Sequence, residues 1–118
     1  MLAAPAPGIG RTFAALADPT RRAILARLER DESVSVSALA EPFAIKLPAV
    51  MKHLDVLANA GLITRTKQGR TVDVRLVAKP LREAMTWLAR YERFWEPRLD
   101  RLAIYAKNKE ADARRRGR

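Results

Sequence analysis

Cationic and small side chains alternate with apolar ones along the stretch Lys46 to Gly61, KLPAVMKHLDVLANAG. An ammonium group attracts a phosphate oxygen, and lysine and imidazole N–H groups also donate hydrogen bonds to base edges in a DNA groove. A small side chain allows close approach and can touch a thymine methyl group. These residue types predict that six residues of the stretch contact a nucleic acid: Lys46, Pro48, Ala49, Met51, Lys52 and His53.

Each of these residues also has a structural interpretation. For Pro48 and Ala49, close packing is as well supported as contact with a thymine methyl group. For His53, a hydrogen bond to a structural partner within the protein is as well supported as a hydrogen bond to DNA. For Lys52, a base or phosphate contact is favoured over a plain solvated lysine. Lys46 stands at a helix cap position without offering an acceptor, so it is an imperfect cap or a phosphate anchor. The anchor is favoured because a helix start attracts anions.

Residue sets for catalysis or metal binding are not recognisable in the sequence. There is no cysteine, one histidine (His53), no glycine-rich phosphate loop and no pair of catalytic carboxylates. Zinc and copper need several soft or imidazole ligands. We therefore expect neither an enzyme nor a metal sensor, and no bound metal or cofactor.

The charge balance is strongly basic, with a formal net charge of +10 at pH 7 in 118 residues. A polyanion attracts such a chain, and 48% hydrophobic residues suffice for one core. We expect a flexible lead over residues 1–8, one domain over residues 9–106 and a disordered basic tail over residues 107–118. Without a secretory signal or an apolar run of about 18 residues, a cytoplasmic protein without a membrane partner is expected.

The helical period predicts an amphipathic helix between Lys46 and Gly61. Its buried side is expected to contain Leu47, Val50, Leu54, Leu57 and Ala58. The opposite side holds Pro48, Ala49, Lys52, Val56 and Asn59, with Met51 and His53 on the flanks.

Two helices are predicted before this one. Asp18 and Pro19 suit the cap and the first position of a helix that leaves Arg21 and Arg22 in solvent. Its buried residues are expected to be Ala23, Ile24, Leu25 and Leu28. After a brief strand at Ser33 and Val34, Ser35 caps a short helix that Pro42 limits and that buries Val36, Leu39 and Ala40. A short helix followed closely by a groove-facing helix is a helix-turn-helix.

After Gly61 the apolar period changes from 3.6 to 2. The alternating residues, interrupted by Gln68 and Gly69, predict a two-stranded hairpin. Three cations lie at or near its tip: Arg65, Lys67 and Arg70. We expect them to contact DNA phosphates rather than to form only a solvated edge. The hairpin completes a winged helix.

Pro80 begins the longest predicted helical segment, in which apolar residues recur every seven positions. A second apolar line contains Trp87 and Phe94, and a small domain rarely buries two such faces, so one face is expected to meet a second copy. For the aromatic residues, core or dimer contact is favoured over a ligand pocket. Pro97 should kink the helix or start a new one at about Glu96. The predicted dimer interface contains Phe13, Leu81, Met85, Leu88, Tyr91, Trp95, Leu99 and Leu102.

Five segments in this order resemble the ArsR/SmtB family of bacterial winged-helix repressors: FAALADPTRRAIL, ALAEPF, LPAVMKHLDVLANAGLI, GRTVDVRL and RYERFWEPRLDRL. The resemblance covers roughly residues 9–106, which is most of the chain. It implies a dimer held by the first and last helices, a recognition helix in the major groove, a wing beside the backbone and repression of a promoter. The expected fold is mainly α with a small β-hairpin, a winged helix-turn-helix of five or six helices that dimerises through its terminal helices.

This chain departs from the metal-sensing members of the family. They carry a cysteine motif where this chain has SVSALAEPF, or His and acidic ligands on the last helix. The resemblance is therefore to the metal-independent branch, and it assigns no small-molecule effector. We expect a homodimeric repressor of double-stranded DNA that binds an inverted repeat. The alternatives are a winged helix that binds a protein partner and a non-specific DNA-coating protein of nucleoid type.

Overall fold

Helices and a small antiparallel sheet form residues 8–95 and 106–109, the part of the chain that the computed structural model describes. In chain order the elements are α1 (Ile9–Leu16), α2 (Pro19–Arg30), β1 (Val34–Ser35), α3 (Val36–Ala40), α4 (Leu47–Asn59), β2 (Ile63–Gln68), β3 (Thr71–Leu76), α5 (Lys79–Leu88) and a 3-10 helix (Ala89–Phe94). Residues 106–109 are also helical. The chain divides into two compact units, Met1–Trp87 and Leu88–Arg118.

The starts of α2 and α3 confirm both predicted caps. The Asp18 carboxylate accepts a hydrogen bond from the backbone N–H of Arg21 at 3.0 Å. The hydroxyl of Ser35 accepts one from the backbone N–H of Ala38 at 3.2 Å. Each bond satisfies an amide that has no carbonyl partner in the first helical turn. The short helix α3 ends before Pro42, as predicted.

The end of α4 is a Schellman motif centred on Gly61. The backbone of Gly61 has a φ of 74°, in the left-handed region that favours glycine. The N–H of Gly61 donates to the carbonyl of Ala58 at 2.9 Å, and that of Leu62 donates to Leu57 at 3.0 Å. These two bonds satisfy carbonyls of the last turn. Because Leu62 is fully buried, the motif also sets the direction in which the chain leaves α4 toward β2.

The core of the first unit forms where the helices pack against one another and against the sheet. Its largest fully buried side chains are Ile24, Leu39, Val50, Leu54, Leu57, Leu62 and Val74. The apolar side predicted for α4 is thus confirmed at its centre. Val50, Leu54 and Leu57 lie on α4, before Gly61, and Val74 lies on β3, after it. The helix α4 and the wing therefore share one core.

Two predictions of buried residues are wrong. Ala23 is exposed, so the buried stripe of α2 begins at Ile24. Leu47 is 50% exposed, because it is the first residue of α4 and the core contacts of that helix begin with Val50, nearly one turn further along.

The sheet joins the predicted hairpin to the brief strand near Val34. Its strand order is β1-β3-β2, with all pairs antiparallel, and Val34 lies opposite Val74. In the hairpin, Gln68 lies opposite Thr71, which leaves Gly69 and Arg70 as the loop. Gly69 has a φ of 62° and no non-glycine residue described has a positive φ, a pattern that matches the type II′ turn favoured in tight hairpins. The hairpin is confirmed, and β1 makes it a three-stranded sheet.

The last predicted helix is not one continuous α-helix. The backbone of the second unit changes to a 3-10 helix at Ala89, and Trp95 is extended, with φ −80° and ψ 129°. The interruption predicted at Pro97, at about Glu96, lies outside the described residues.

Candidate nucleic-acid interface

The outward side of α4 presents a cation among small and apolar side chains. Lys52 and Pro48 are exposed, Ala49 is half-buried, and Val56 is 37% exposed. This side lies opposite the buried Leu54, as the helical period predicts. The surface is therefore accessible and has little bulk to keep a DNA groove at a distance.

The first turn of α4 is a positive helix end that contains no carboxylate. Lys46 has extended backbone at the cap position, and its side chain makes no capping hydrogen bond. Its carbonyl accepts from the N–H groups of Ala49 at 3.0 Å and Val50 at 3.3 Å. No acidic residue lies in this turn. The lysine and the helix dipole thus both favour an anion at this point.

Met51 and His53, the two flanking residues, differ in their surroundings. Met51 is half-buried and packs against the core of its own chain. His53 is half-buried as well, and its Nδ1 lies 3.2 Å from Nη1 of Arg21. The expected structural partner of His53 therefore exists, and 22% of the His53 side chain remains exposed.

Arg21 is the residue whose role sequence reasoning missed. Its Nε donates to the carbonyl of Ala15 at 2.8 Å, and its Nη2 donates to that of Ala14 at 3.0 Å. The prediction that Arg21 is a solvated surface residue is wrong, because its guanidinium joins the end of α1 to α4. No spacing in the sequence indicates this contact, since His53 lies 32 residues away.

Asp18 borders the same cluster. Its carboxylate lies 3.9 Å from Nδ1 of His53. The hydrogen bond from the Arg21 backbone N–H lowers the pKa of Asp18 below its ordinary value of 3.8, with smaller help from the charges of His53 and Arg21 and against partial desolvation. The carboxylate is thus kept ionised as a cap.

The cations at the wing tip are exposed. Lys67 lies opposite Val72 near the end of β2, and Arg70 is in the loop. The hydroxyl of Thr71 donates to the carbonyl of Gln68 at 2.9 Å and closes the turn beside them. The turn is therefore ordered by local hydrogen bonds while both cations point into solvent-accessible space.

Arg65, the third predicted wing residue, lies at the base of the wing rather than at its tip. Its Nη1 donates to Oδ1 of Asp55 on α4 at 2.7 Å. The Arg65 side chain is 30% exposed and that of Asp55 is 57% exposed. The pair ties β2 to the recognition helix. The sequence signal for this pair is Asp55, the one acidic residue of α4. An acid on a helix that is expected to face phosphates indicates a cationic partner that neutralises it.

The predicted dimer residues fall into three groups. In the first unit, Leu81 is half-buried against the core, whereas Met85 is 71% exposed. Phe13 is 36% exposed and contacts Trp87 edge to face, with ring centroids 5.8 Å apart. In the second unit, three residues are exposed: Leu88, Tyr91 and Trp95. The remaining two, Leu99 and Leu102, lie outside the described residues.

The second predicted apolar line is divided in the same way. Trp87 is half-buried on Phe13, while Phe94 is 67% exposed, with Arg93 4.7 Å above its ring centroid and Tyr91 6.4 Å away. Within residues 8–95 and 106–109, no group of three or more His, Asp or Glu side chains is arranged to hold a metal ion. Over that same part of the chain, no helix has the length and apolarity needed to span a bilayer.

Helices α3 and α4 with the β2–β3 wing define the class of winged helix-turn-helix DNA-binding proteins. A family model described as a helix-turn-helix domain matches residues 16–66, which contain α2 to α4 and most of β2. The HTH-type transcriptional regulator Rv2034 of Mycobacterium tuberculosis is 38% identical over 85 residues, which cover 72% of this chain and 76% of the relative.

Two further proteins agree with this. The crystal structure of the ArsR family transcriptional regulator RHA00566 is 41% identical, covers 81% of this chain and 98% of that one, and superposes with a TM-score of 0.73. The transcriptional repressor SdpR of Bacillus subtilis is 29% identical over 83 residues, or 70% of this chain and 91% of SdpR. The chain belongs to the ArsR family of winged helix-turn-helix transcriptional regulators, and it is a DNA-binding regulator of transcription.

Proposed function

We propose that this regulator is a homodimeric repressor that binds an inverted-repeat operator through α4 and the wing, without sensing a metal. The observation that carries the proposal is the outward side of α4, where Lys52 stands exposed among small side chains and Lys46 precedes an acid-free first turn. Repression is supported by the similarity to SdpR, which is named a transcriptional repressor.

The docking follows from the positions of the cations. Lys46 contacts a phosphate at the start of α4, and Lys52 reaches a base edge or phosphate within the major groove. Lys67 and Arg70 at the exposed wing tip contact the adjacent backbone. The Arg65–Asp55 bond at 2.7 Å holds the base of the wing to α4, so that both elements meet one stretch of DNA together.

Dimerisation is supported by apolar side chains that the first unit leaves in solvent. Met85 on α5 and Phe13 on α1 are large and exposed, and such residues commonly mark protein contacts. In a twofold dimer, the two copies of α4 would enter successive major grooves about 10 to 10.5 base pairs apart, which requires an inverted repeat.

Independence from metals rests on the side-chain chemistry. The chain has no cysteine, and its one histidine has Nδ1 against the guanidinium of Arg21 at 3.2 Å. A cationic neighbour opposes a metal ion at that nitrogen, and the usual thiolate and imidazole sets of zinc sites cannot be assembled from these residue types.

The test is binding to DNA from the promoter beside the coding region, measured by gel shift with random duplex as competitor. We expect Lys52→Ala to weaken binding to the preferred site about tenfold. Lys79→Ala, at an exposed lysine outside α4 and the wing, is the matched control and should change affinity by less than about twofold. Equal affinity for the promoter and random duplex would indicate a non-specific DNA-coating protein instead.

The wing is tested by the dependence of affinity on salt. Loss of one phosphate contact in Arg70→Ala should reduce the slope of log K against log salt by about 0.9. A slope equal to that of the unmodified protein would remove the wing from the docking model. A dimer that bound a protein partner but had no salt-sensitive affinity for DNA would contradict the whole proposal.

A further inference from the structure

The guanidinium of Arg21 uses a different nitrogen for each of three acceptors. Nε and Nη2 bond the carbonyls of Ala15 and Ala14, in the last turn of α1, and Nη1 lies 3.2 Å from Nδ1 of His53. A guanidinium only donates hydrogen bonds. The contact with Arg21 therefore assigns Nδ1 of the neutral ring as the acceptor and places the proton on Nε2, because the Asp18 carboxylate, 3.9 Å from the same nitrogen, is beyond hydrogen-bond distance.

Nε2 of His53 is not fully buried, and the His53 side chain as a whole is 22% exposed. Among the described residues, no side-chain nitrogen or oxygen is buried without a hydrogen-bond partner, and the one hydrogen bond formed there by His53 uses Nδ1. His53 follows Lys52 and lies one turn after Ala49, on the edge of the outward side of α4. The Nε2–H group is thus a hydrogen-bond donor at the margin of the surface that meets DNA.

The geometry of this donor is set from outside the recognition helix. The carbonyls of Ala14 and Ala15 are in the C-terminal turn of α1, which attracts a cation, and the Ala14 carbonyl also accepts the backbone N–H of Ala17 at 3.2 Å. The backbone N–H of Arg21 is held in turn by the Asp18 carboxylate at 3.0 Å. Arg21 is thus fixed by both α1 and the start of α2 before it meets the ring on α4.

We propose that Arg21 is a positioning residue for DNA recognition, which holds His53 as the Nε2–H tautomer so that α4 presents a donor to an acceptor atom of DNA. The inference rests on the proposed DNA-binding mode of α4. The opposite tautomer would turn an acceptor lone pair toward the DNA, where phosphate oxygens and many major-groove atoms are also acceptors. Arg21 thereby determines that Nε2 of His53 donates a hydrogen bond to DNA rather than accepting one.

The tautomer is measured directly by long-range proton–nitrogen NMR correlation at slightly alkaline pH. The chain has one histidine, so the imidazole signals need no assignment. We expect an unprotonated Nδ1 and a protonated Nε2, and a change of the Nδ1 signal in Arg21→Met. Arg22→Met is the matched control, because Arg22 bonds the Leu16 carbonyl at 2.7 Å and should leave the ring unchanged. A protonated Nδ1, or a ring unaffected by Arg21→Met, would overturn the inference.

The functional part is measured by a double-mutant cycle on a duplex selected from a randomised library. Arg21→Met and His53→Ala should each weaken binding about tenfold, and the double variant should bind no more weakly than His53→Ala. A purely structural Arg21 would give losses that multiply. The spectrum of the unmodified protein and the affinity of His53→Ala do not depend on Arg21→Met folding, so unchanged affinity in His53→Ala alone refutes the inference.

A second duplex of random sequence and equal length identifies the acceptor. If His53 contacts a phosphate, His53→Ala should lose affinity equally on both duplexes; if it contacts a base, the loss should be confined to the selected duplex. Failure of the proposed function would be seen separately, as an unmodified protein that does not prefer or does not bind the selected duplex. Normal binding with no effect of His53→Ala would refute only the role of the Arg21–His53 pair.

Discussion

Replacing Gly61 by alanine tests how the recognition helix is joined to the wing. Gly61 has a φ of 74°, and a Cβ added there would lie 3.6 Å from Cγ of Pro80, which is an ordinary contact distance. The cost of Gly61→Ala therefore comes from the backbone conformation, which disfavours an L side chain by roughly 1–2 kcal/mol. For a domain of about this size, each kcal/mol lowers Tm by about 4–8 °C.

Gly10 provides a control of opposite sign. It lies in α1 with helical backbone, and an added Cβ would meet nothing within 4 Å. Because glycine costs roughly 0.5–1 kcal/mol relative to alanine within a helix, Gly10→Ala should stabilise the protein. Gly61→Asn should be milder than Gly61→Ala, because asparagine tolerates the left-handed region better than alanine does.

The assay is urea unfolding followed by circular dichroism, at one fixed protein concentration so that any self-association affects all variants under the same conditions. The expected order of stability is Gly10→Ala, unmodified protein, Gly61→Asn and Gly61→Ala. If Gly61→Ala matched the unmodified protein, the left-handed turn at the end of α4 would not be what restrains that position, and the reasoning would be refuted.

Two further predictions concern the cap and the dimer. The pKa of Asp18 is lowered in the folded protein, so the ionised carboxylate contributes stability above pH 3.8. This contribution is lost as pH falls through the lower folded pKa. In urea titrations, the stability advantage of the unmodified protein over Asp18→Asn should therefore shrink below pH 3.8, and a constant difference would contradict this. Met85→Glu places a charge at an apolar residue that is 71% exposed. Light scattering over a dilution series should show about tenfold weaker dimerisation for this variant than for the control Lys79→Glu. An unchanged mass distribution would remove Met85 from the proposed dimer interface.

Local chemistry was readable from the sequence because it depends on neighbours in the chain. The caps at Asp18 and Ser35 need only an acceptor side chain and an amide in the first helical turn, and the turn at Gly61 needs only a residue that accepts a positive φ. The periods of 3.6 and 2 likewise separate α4 from the wing. The family resemblance rests on these same local segments.

The spacing of residues was a poorer guide wherever burial depends on what lies opposite. Leu47 fits the apolar period of α4, yet it is exposed because the buried residues of that helix begin only at Val50. Ala23 fits the period of α2 and is exposed as well. The sevenfold recurrence after Pro80 suggested one long helix, although the backbone becomes a 3-10 helix from Ala89 and extended at Trp95.

Capping, amphipathic period and turn chemistry are properties of short segments, so the amino-acid sequence was enough to predict a winged helix-turn-helix with a cation on the outward side of α4. The contacts that hold the outward side chains could be seen only in the folded chain. It joined Arg21 to His53 across 32 residues and Arg65 to Asp55 across 10. Such pairs depend on how α1, α2, α4 and β2 pack, and a hydrogen bond forms only when that packing brings donor and acceptor to about 3 Å.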